Sequence, residues 1–141
     1  MSKKLLEPGL PRGFEDSFGK SLVIEKKIKE VIEKNFLRYG YTEIKTSPFE
    51  YSENIGGFLT DDLNDFSKDI FTFDDKDRKI SLRFDLSAPL ARVVSEKYLE
   101  FAFPFRRFQI AEVFRNETSK TGRGRYRSFL QGDFDQIFFG R

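Results

Sequence analysis

Between Ser17 and Tyr39 the apolar residues Ile24, Ile28, Val31, Ile32, Phe36 and Tyr39 recur at the three- and four-residue intervals that gather side chains on one side of a helix. The pattern predicts a helix from about Ser17 or Ser21 to Tyr39. Gly40 follows where a helix end favours a residue able to turn left-handed. The lysines and glutamates of EKKIKEVIEK form its solvated face. Past Gly40 the period changes. YTEIKTSPFEYS reads as a strand that Pro48 interrupts or ends, because proline brings no N–H to a ladder. DIFTF and KISLRF flank DDKDR and predict a hairpin. A second helix is expected from about Ser87 to Tyr98, with Ser87 as N-cap and Pro89 in the first turn. FPFRRFQIAEVFR and RYRSFLQGDFDQIFF are the last two strands, joined by the polar loop NETSKTGRG. Residues 1–13 lack an apolar period and hold Pro8, Gly9, Pro11 and Gly13, which predicts an extended arm. Residues 52–68 read as an irregular excursion. Its pair Gly56–Gly57 can cradle phosphate, but no P-loop lysine follows, so a plain turn is the simpler expectation.

Hairpin pairing accounts for most of these strands, and only one region allows a parallel crossover. The expected class is α+β, an antiparallel β-sheet flanked by helices. A length of 141 residues suits one domain with a real core. Charged residues make up 34% of the chain, and no apolar run reaches membrane-spanning length. The N-terminus lacks a secretory apolar segment, so a cytoplasmic protein is expected.

Two absences narrow the chemistry. Without cysteine there is no thiolate nucleophile, disulfide or zinc–thiolate cluster. Without histidine the commonest acid–base group and metal ligand is missing, and no metal ligand set is expected from the protein. What remains is carboxylates, guanidinium groups and positioning, which favours charge-stabilised attack on a phosphate over triad hydrolysis. Net charge is only +2, but cations gather locally: Arg106, Arg107, Arg115, Lys120, Arg123, Arg125 and Arg127 stand against Glu112 and Glu117.

The stretch GRGRYRSFLQGDFDQ sharpens this. If it is a strand, Arg123, Arg125, Arg127, Phe129, Gln131, Asp133 and Asp135 share one face. That face carries cations at its start, a ring in its middle and carboxylates at its end. A nucleoside triphosphate needs cations along its phosphates and a flat surface for its base, and an amino acid needs a carboxylate for its ammonium. Arginine's planar fork suits phosphate oxygens. A solvated strand face with cross-strand ion pairs is the alternative from parity alone.

The array VFRNETSKTGRGRYRSFLQGDFD resembles the second signature motif of the class II aminoacyl-tRNA synthetases. That motif is a strand ending in Phe-Arg-x-Glu, a loop, then Arg-x-x-x-Phe, and its details here are similar to the histidyl-tRNA synthetase version. LRFDLSAPLAR is similar to that family's Leu-Arg-x-Asp-Leu-Thr-x-Pro stretch, with Ser87 for the usual threonine. LPRGFED resembles its N-terminal arm. The first helix with YGYTEIKTSPFE resembles the first class II motif, whose proline, here Pro48, lies at the dimer interface. The resemblance implies a class II catalytic-core fragment: arm 1–16, first-motif helix and strand 17–51, second-motif hairpin 104–139.

The resemblance also implies roles. Arg115 is the expected catalytic residue, contacting the ATP α-phosphate and the amino-acid carboxylate. Glu117, Arg125 and Tyr126 hold the adenine end, and Phe129 stacks on adenine. Asp85, Ser87, Arg115, Gln131 and Asp135 line the histidine pocket, with Asp133 supporting. The implied reaction uses ATP with Mg2+ as a substrate, activates histidine and charges tRNA(His). Arg106 and Arg107 have no matched role and are expected as surface or interface charges. Phe101, Phe103, Phe105, Phe138 and Phe139 are expected in the core or in dimer contacts.

The family's third motif and anticodon-binding domain are not found before Arg141. The chain alone is therefore expected to show little or no aminoacylation, and an exposed sheet edge to favour a homodimer. Two rivals remain. One is the family's non-catalytic paralogue, a histidine-binding regulatory subunit of ATP phosphoribosyltransferase. It has no need of Glu117, GRGRYRSF or the acids of GDFD. The other is a single-strand nucleic-acid module on the basic patch, which the near-neutral total charge disfavours.

Overall fold

The computed structural model describes residues 7–56, 67–117 and 126–138. Lys120, Arg123, Arg125, Gly57 and Phe139 lie outside them, so the expectations placed on those five do too. Helix α1 runs Lys20–Arg38. The Tyr41 N–H donates to the Phe36 carbonyl at 3.0 Å and the Gly40 N–H to that of Leu37 at 3.1 Å. This double closure requires a left-handed residue, and Gly40 supplies it with φ of 75°.

Two three-stranded sheets follow. In the first, β1 (Thr42–Glu43) runs parallel to β5 (Phe105–Phe114), and β6 (Ser128–Ile137) pairs antiparallel with β5. In the second, β2 (Phe49–Tyr51) and β3 (Thr72–Asp75) flank β4 (Arg78–Leu82), both antiparallel. The α+β expectation holds, with one parallel pair and a divided sheet as refinements. The strand expected across Pro48 is two strands in two sheets. Pro48 sits at the corner between them and its carbonyl accepts from the Arg83 N–H at 2.9 Å. The β3–β4 hairpin turns at Lys76–Asp77, Lys76 taking φ of 51°. Of the expected excursion, Ser52–Gly56 forms the short helix α2 and Ser67–Asp69 a 3-10 turn.

Helix α3 spans Ser87–Lys97. Ser87 is its first helical residue and not its cap. The cap contact comes from Asp85, whose Oδ1 accepts from the Ala88 N–H at 3.1 Å. The two sheets meet where the Phe114 N–H donates to the Arg83 carbonyl at 3.0 Å and Arg83 Nε to the Glu112 carbonyl at 2.6 Å.

Directly paired residues of β5 and β6 share a face, so the hairpin has two distinct sides. One side presents Arg106, Phe108 and Ile110 with Leu130, Gly132 and Phe134. Helix α1 covers it through Phe36, whose ring lies 5.2 Å from Phe108 and 5.0 Å from Phe134. The other presents Arg107, Gln109 and Val113 with Phe129, Asp133 and Asp135. Leu86, at the start of α3, and Thr46 close over it.

One expectation about α1 needs correction. Leu22, Ile32 and Phe36 are half-buried, but Ile24, Ile28 and Val31 remain 55–60% exposed. The apolar stripe is wider than the single sheet face it packs on. Lys29 and Glu33, assigned to the solvated side, are half-buried at that contact. Among the expected core phenylalanines, Phe105 is buried and Phe101 stacks on it at 4.3 Å, while Phe138 is 68% exposed.

Candidate functional site

The site forms where β5 ends and β6 begins, on the hairpin face away from α1. The Arg115 N–H donates to the Arg127 carbonyl at 2.8 Å, extending the ladder one pair beyond β6. The Arg115 guanidinium lies 4.4 Å over the Phe84 ring and 5.0 Å over the Phe129 ring, and its Nε is 3.4 Å from the Phe84 carbonyl. Two ring faces thus hold a permanent cation in place. Next to it, Asn116 is tied by its N–H to the Asp69 carbonyl at 2.7 Å and by Nδ2 to the Lys68 carbonyl at 3.1 Å. Glu117 follows, half-buried.

Along β6 Ser128 is half-buried, and from Phe129 onward the half-buried residues Phe129, Gln131, Asp133, Asp135 and Ile137 alternate with exposed ones. The parity read from the sequence therefore stands. At the far end Asp133 and Asp135 converge on Arg107, which is fully buried. Its Nη2 donates to Asp133 Oδ2 at 2.9 Å and to Asp135 Oδ2. Arg107 Nε and Nη1 have no hydrogen-bond partner among the described residues. Removing a guanidinium from water costs about several kcal/mol, and the two carboxylates offset that cost. Ser87 Oγ donates to Asp133 Oδ2 at 3.3 Å and so joins the acid pair. Behind it Thr46 and Gln109 are buried and hydrogen-bonded to each other at 3.1 and 3.2 Å.

Arg107 was expected at the surface. It lies inside because Arg106 and Arg107 are adjacent in a strand and must face opposite sides. That signal was available in the sequence, but which of the two turned inward depended on the register. Asp133, expected only to support, shares Arg107 with Asp135.

Other expected residues go elsewhere. Asp85 is engaged in capping α3. Tyr126 donates its hydroxyl to the Glu15 carboxylate on the arm, and that bond raises its pKa above the ordinary tyrosine value. A cavity of about 930 Å³ opens on the α1 side, between arm, helix and hairpin, with Glu15, Glu25, Glu112, Tyr126 and Phe129 among its lining. Arg115, Gln131 and Asp135 are not part of that lining, so what they share with Phe129 is a sheet face.

The arm itself is anchored to the site. The Arg127 N–H donates to the Gly13 carbonyl at 2.7 Å. The Arg127 guanidinium lies 4.6 Å over Phe71 and 5.7 Å over Phe14. With Arg107 buried and Arg115 and Arg127 laid on rings, these three cations of the basic patch do not form an open phosphate-tracking surface.

The family model for histidyl-tRNA synthetase matches residues 13–132, which take in the end of the arm, α1, the second sheet, β1, β5 and the first half of β6. The chain belongs to the histidyl-tRNA synthetase family. It is 50% identical over 132 residues to a histidine–tRNA ligase of Pelagibacter ubique, covering 94% of this chain and 28% of that protein. A histidine–tRNA ligase of Caulobacter vibrioides is 39% identical over 132 residues, covering 93% and 26%. Among solved structures, a histidyl-tRNA synthetase from Nostoc sp. PCC 7120 superposes with a TM-score of 0.78 at 26% identity, covering 94% of this chain and 29% of that one. A Bacillus halodurans protein titled ATP phosphoribosyltransferase regulatory subunit/histidyl-tRNA synthetase gives 0.76 at 25% identity, covering 93% and 32%. The chain thus spans less than a third of the length of the synthetases it matches. No helix among the described residues is long and apolar enough to cross a membrane.

Proposed function

We propose that this chain carries the ATP- and histidine-facing hairpin of a cytoplasmic, homodimeric histidine–tRNA ligase, which forms histidyl-adenylate and transfers histidine to tRNA(His). The observation that carries this reading is the position of Arg115, held between Phe84 and Phe129 on the face that ends in Asp133 and Asp135. A triphosphate laid along that face has its α-phosphate at Arg115 and its base near Phe129. The histidine ammonium meets the acids, and Gln131 meets the imidazole. In the activation step a histidine carboxylate oxygen forms a bond to the α-phosphorus, and the bond to the β-phosphate oxygen breaks to release pyrophosphate. Negative charge grows on the phosphoryl oxygens, and a preplaced guanidinium favours that state over the ground state. Mg2+ enters with the triphosphate. Glu117 and Arg125 complete the adenine end, and Tyr126 contributes through its hold on the arm.

Isothermal titration of the chain with ATP and with histidine tests this. Both are expected to bind, and Arg115→Ala is expected to weaken ATP by about ten- to a hundredfold, as loss of charge-assisted hydrogen bonds does. Failure of the intact chain to bind either ligand would sink the reading. The regulatory-subunit alternative draws support from the Bacillus halodurans title, and histidine binding without any ATP binding would favour it.

A further inference from the structure

Arg115 and Arg127 stand directly opposite each other, one pair beyond Phe114 and Ser128 in the β5–β6 ladder. Residues so paired share a face, and like charges placed this way repel one another. Separate aromatic seats draw the two guanidinium groups apart. Arg115 lies over Phe84 and Phe129, at 4.4 and 5.0 Å, and Arg127 over Phe71 and Phe14, at 4.6 and 5.7 Å. Phe14 belongs to the arm, Phe71 immediately precedes β3, and their ring centroids are 6.0 Å apart. The second seat is thus assembled from segments outside the hairpin.

The backbone repeats this arrangement. A hydrogen-bonded antiparallel pair exchanges two bonds. Here the Arg115 N–H donates to the Arg127 carbonyl at 2.8 Å, while the Arg127 N–H goes to the Gly13 carbonyl at 2.7 Å. The arm takes the other half of the exchange. Arg127 Nη1 lies 3.4 Å from the Arg12 carbonyl, and Nε is buried with no hydrogen-bond partner among the described residues. Such a guanidinium is committed to the arm and not to a ligand on the sheet face. On the β5 side, Asn116 is tied to the Lys68 and Asp69 carbonyls, close in sequence to Phe71. Both strands beside Arg115 are therefore held from the same direction.

We propose that Arg127 is a positioning residue for Arg115. Seated on Phe14 and Phe71, it uses the arm to hold the Arg115 guanidinium where the α-phosphate binds. The proposal rests on the ATP reading above. Its rival is an Arg127 that meets the triphosphate itself. In that case loosening Phe14 frees a cation, so ATP binds as before or more tightly, and the loss on removing Arg127 persists without Arg115. A positioning role makes Phe14 and Arg127 one unit acting through Arg115, so their losses do not add and vanish once Arg115 is gone.

The test is titration of the chain with ATP and with adenosine, which lacks the phosphates. Arg127→Met and Phe14→Leu should each weaken ATP about two- to thirtyfold, the range of a lost cation–π contact, with adenosine far less affected. The double variant should be no worse than the more severe single one, and Arg127→Met should add nothing in an Arg115→Ala background. Arg127→Lys, which keeps a cation over the rings, should recover part of the affinity. A second readout needs no ligand. The NMR resonance of the Arg115 Nε–H, shifted by the Phe84 and Phe129 rings, should move toward that of a free arginine in Arg127→Met. Equal loss for both ligands, no loss, tighter ATP binding, a loss undiminished in Arg115→Ala, or an unmoved Arg115 resonance overturns the proposal and leaves the ATP reading standing. If the unaltered chain does not bind ATP, that reading fails and the role of Arg127 with it. Should Arg127→Met not fold by circular dichroism, Phe14→Leu, which alters only the arm, carries the same comparisons.

Discussion

Arginine does most of the internal electrostatic work of this chain. Arg83 is 7% exposed and ties β4 to the carbonyls of Glu112 and Thr46, at 2.6 and 3.2 Å. Burial pulls its pKa below the ordinary arginine value, and the charge of Glu112 opposes that pull. Arg92 grips buried Glu50 with two nitrogens, at 2.6 and 2.8 Å, and the hydrogen bond raises its pKa. Lysine would not reproduce these contacts, because a fork delivers two donors in one plane. Tyr126 supplies a pH prediction at this scale. Its neutral phenol donates to Glu15, which raises its pKa above the usual value near 10.0. The contact is therefore present below the ordinary tyrosine pKa and is lost as pH rises through the raised one. NMR of the tyrosine ring carbons should show Tyr126 titrating above an unperturbed tyrosine, and Glu15→Gln should bring it back down. A Tyr126 titration unmoved by Glu15→Gln would refute the contact.

At the scale of elements, the end of α1 shows how local chemistry and tertiary fit separate. Gly40 has φ of 75°, and a Cβ built there meets no atom within 4 Å. Gly40→Ala should therefore cost only the left-handed backbone penalty, about 1 kcal/mol, visible as a lower urea midpoint with unchanged slope. A neutral result would mean that the helix end can rearrange. The helix, its stop signal, both hairpins and the Pro48 break were legible because each rests on residues close in sequence. The cap of α3 was not, since Asp85 and Ser87 both suit that place. Only the tertiary partner of Ser87, Asp133, decided between them.

At the scale of the whole molecule, two unpaired surfaces among the described residues are the exposed flank of α1 and the outer edge of β6. Ile24, Ile28 and Val31 continue an apolar stripe that includes half-buried Ile32 and Phe36, and such a stripe is stable when something packs on it. The proposed homodimer uses this flank. Sedimentation should show concentration-dependent dimerisation, and Ile28→Glu with Val31→Glu should give a monomer with unchanged circular dichroism, because both sites are already mostly exposed. A wild-type chain that stays monomeric across the concentration series would rule the proposed interface out.

The amino-acid sequence alone determined the α+β class, the order of elements, the face on which Phe129, Gln131, Asp133 and Asp135 lie, and the family. All of these follow from period, turn chemistry and short motifs, which act over a few residues. Tertiary structure alone decided that Arg107 is sealed beneath the two acids, that Tyr126 serves the arm, and that Pro48 divides two sheets. The first depends on strand register, which sets Arg107 opposite Asp135, and the other two on contacts between segments distant in sequence, which no local pattern encodes.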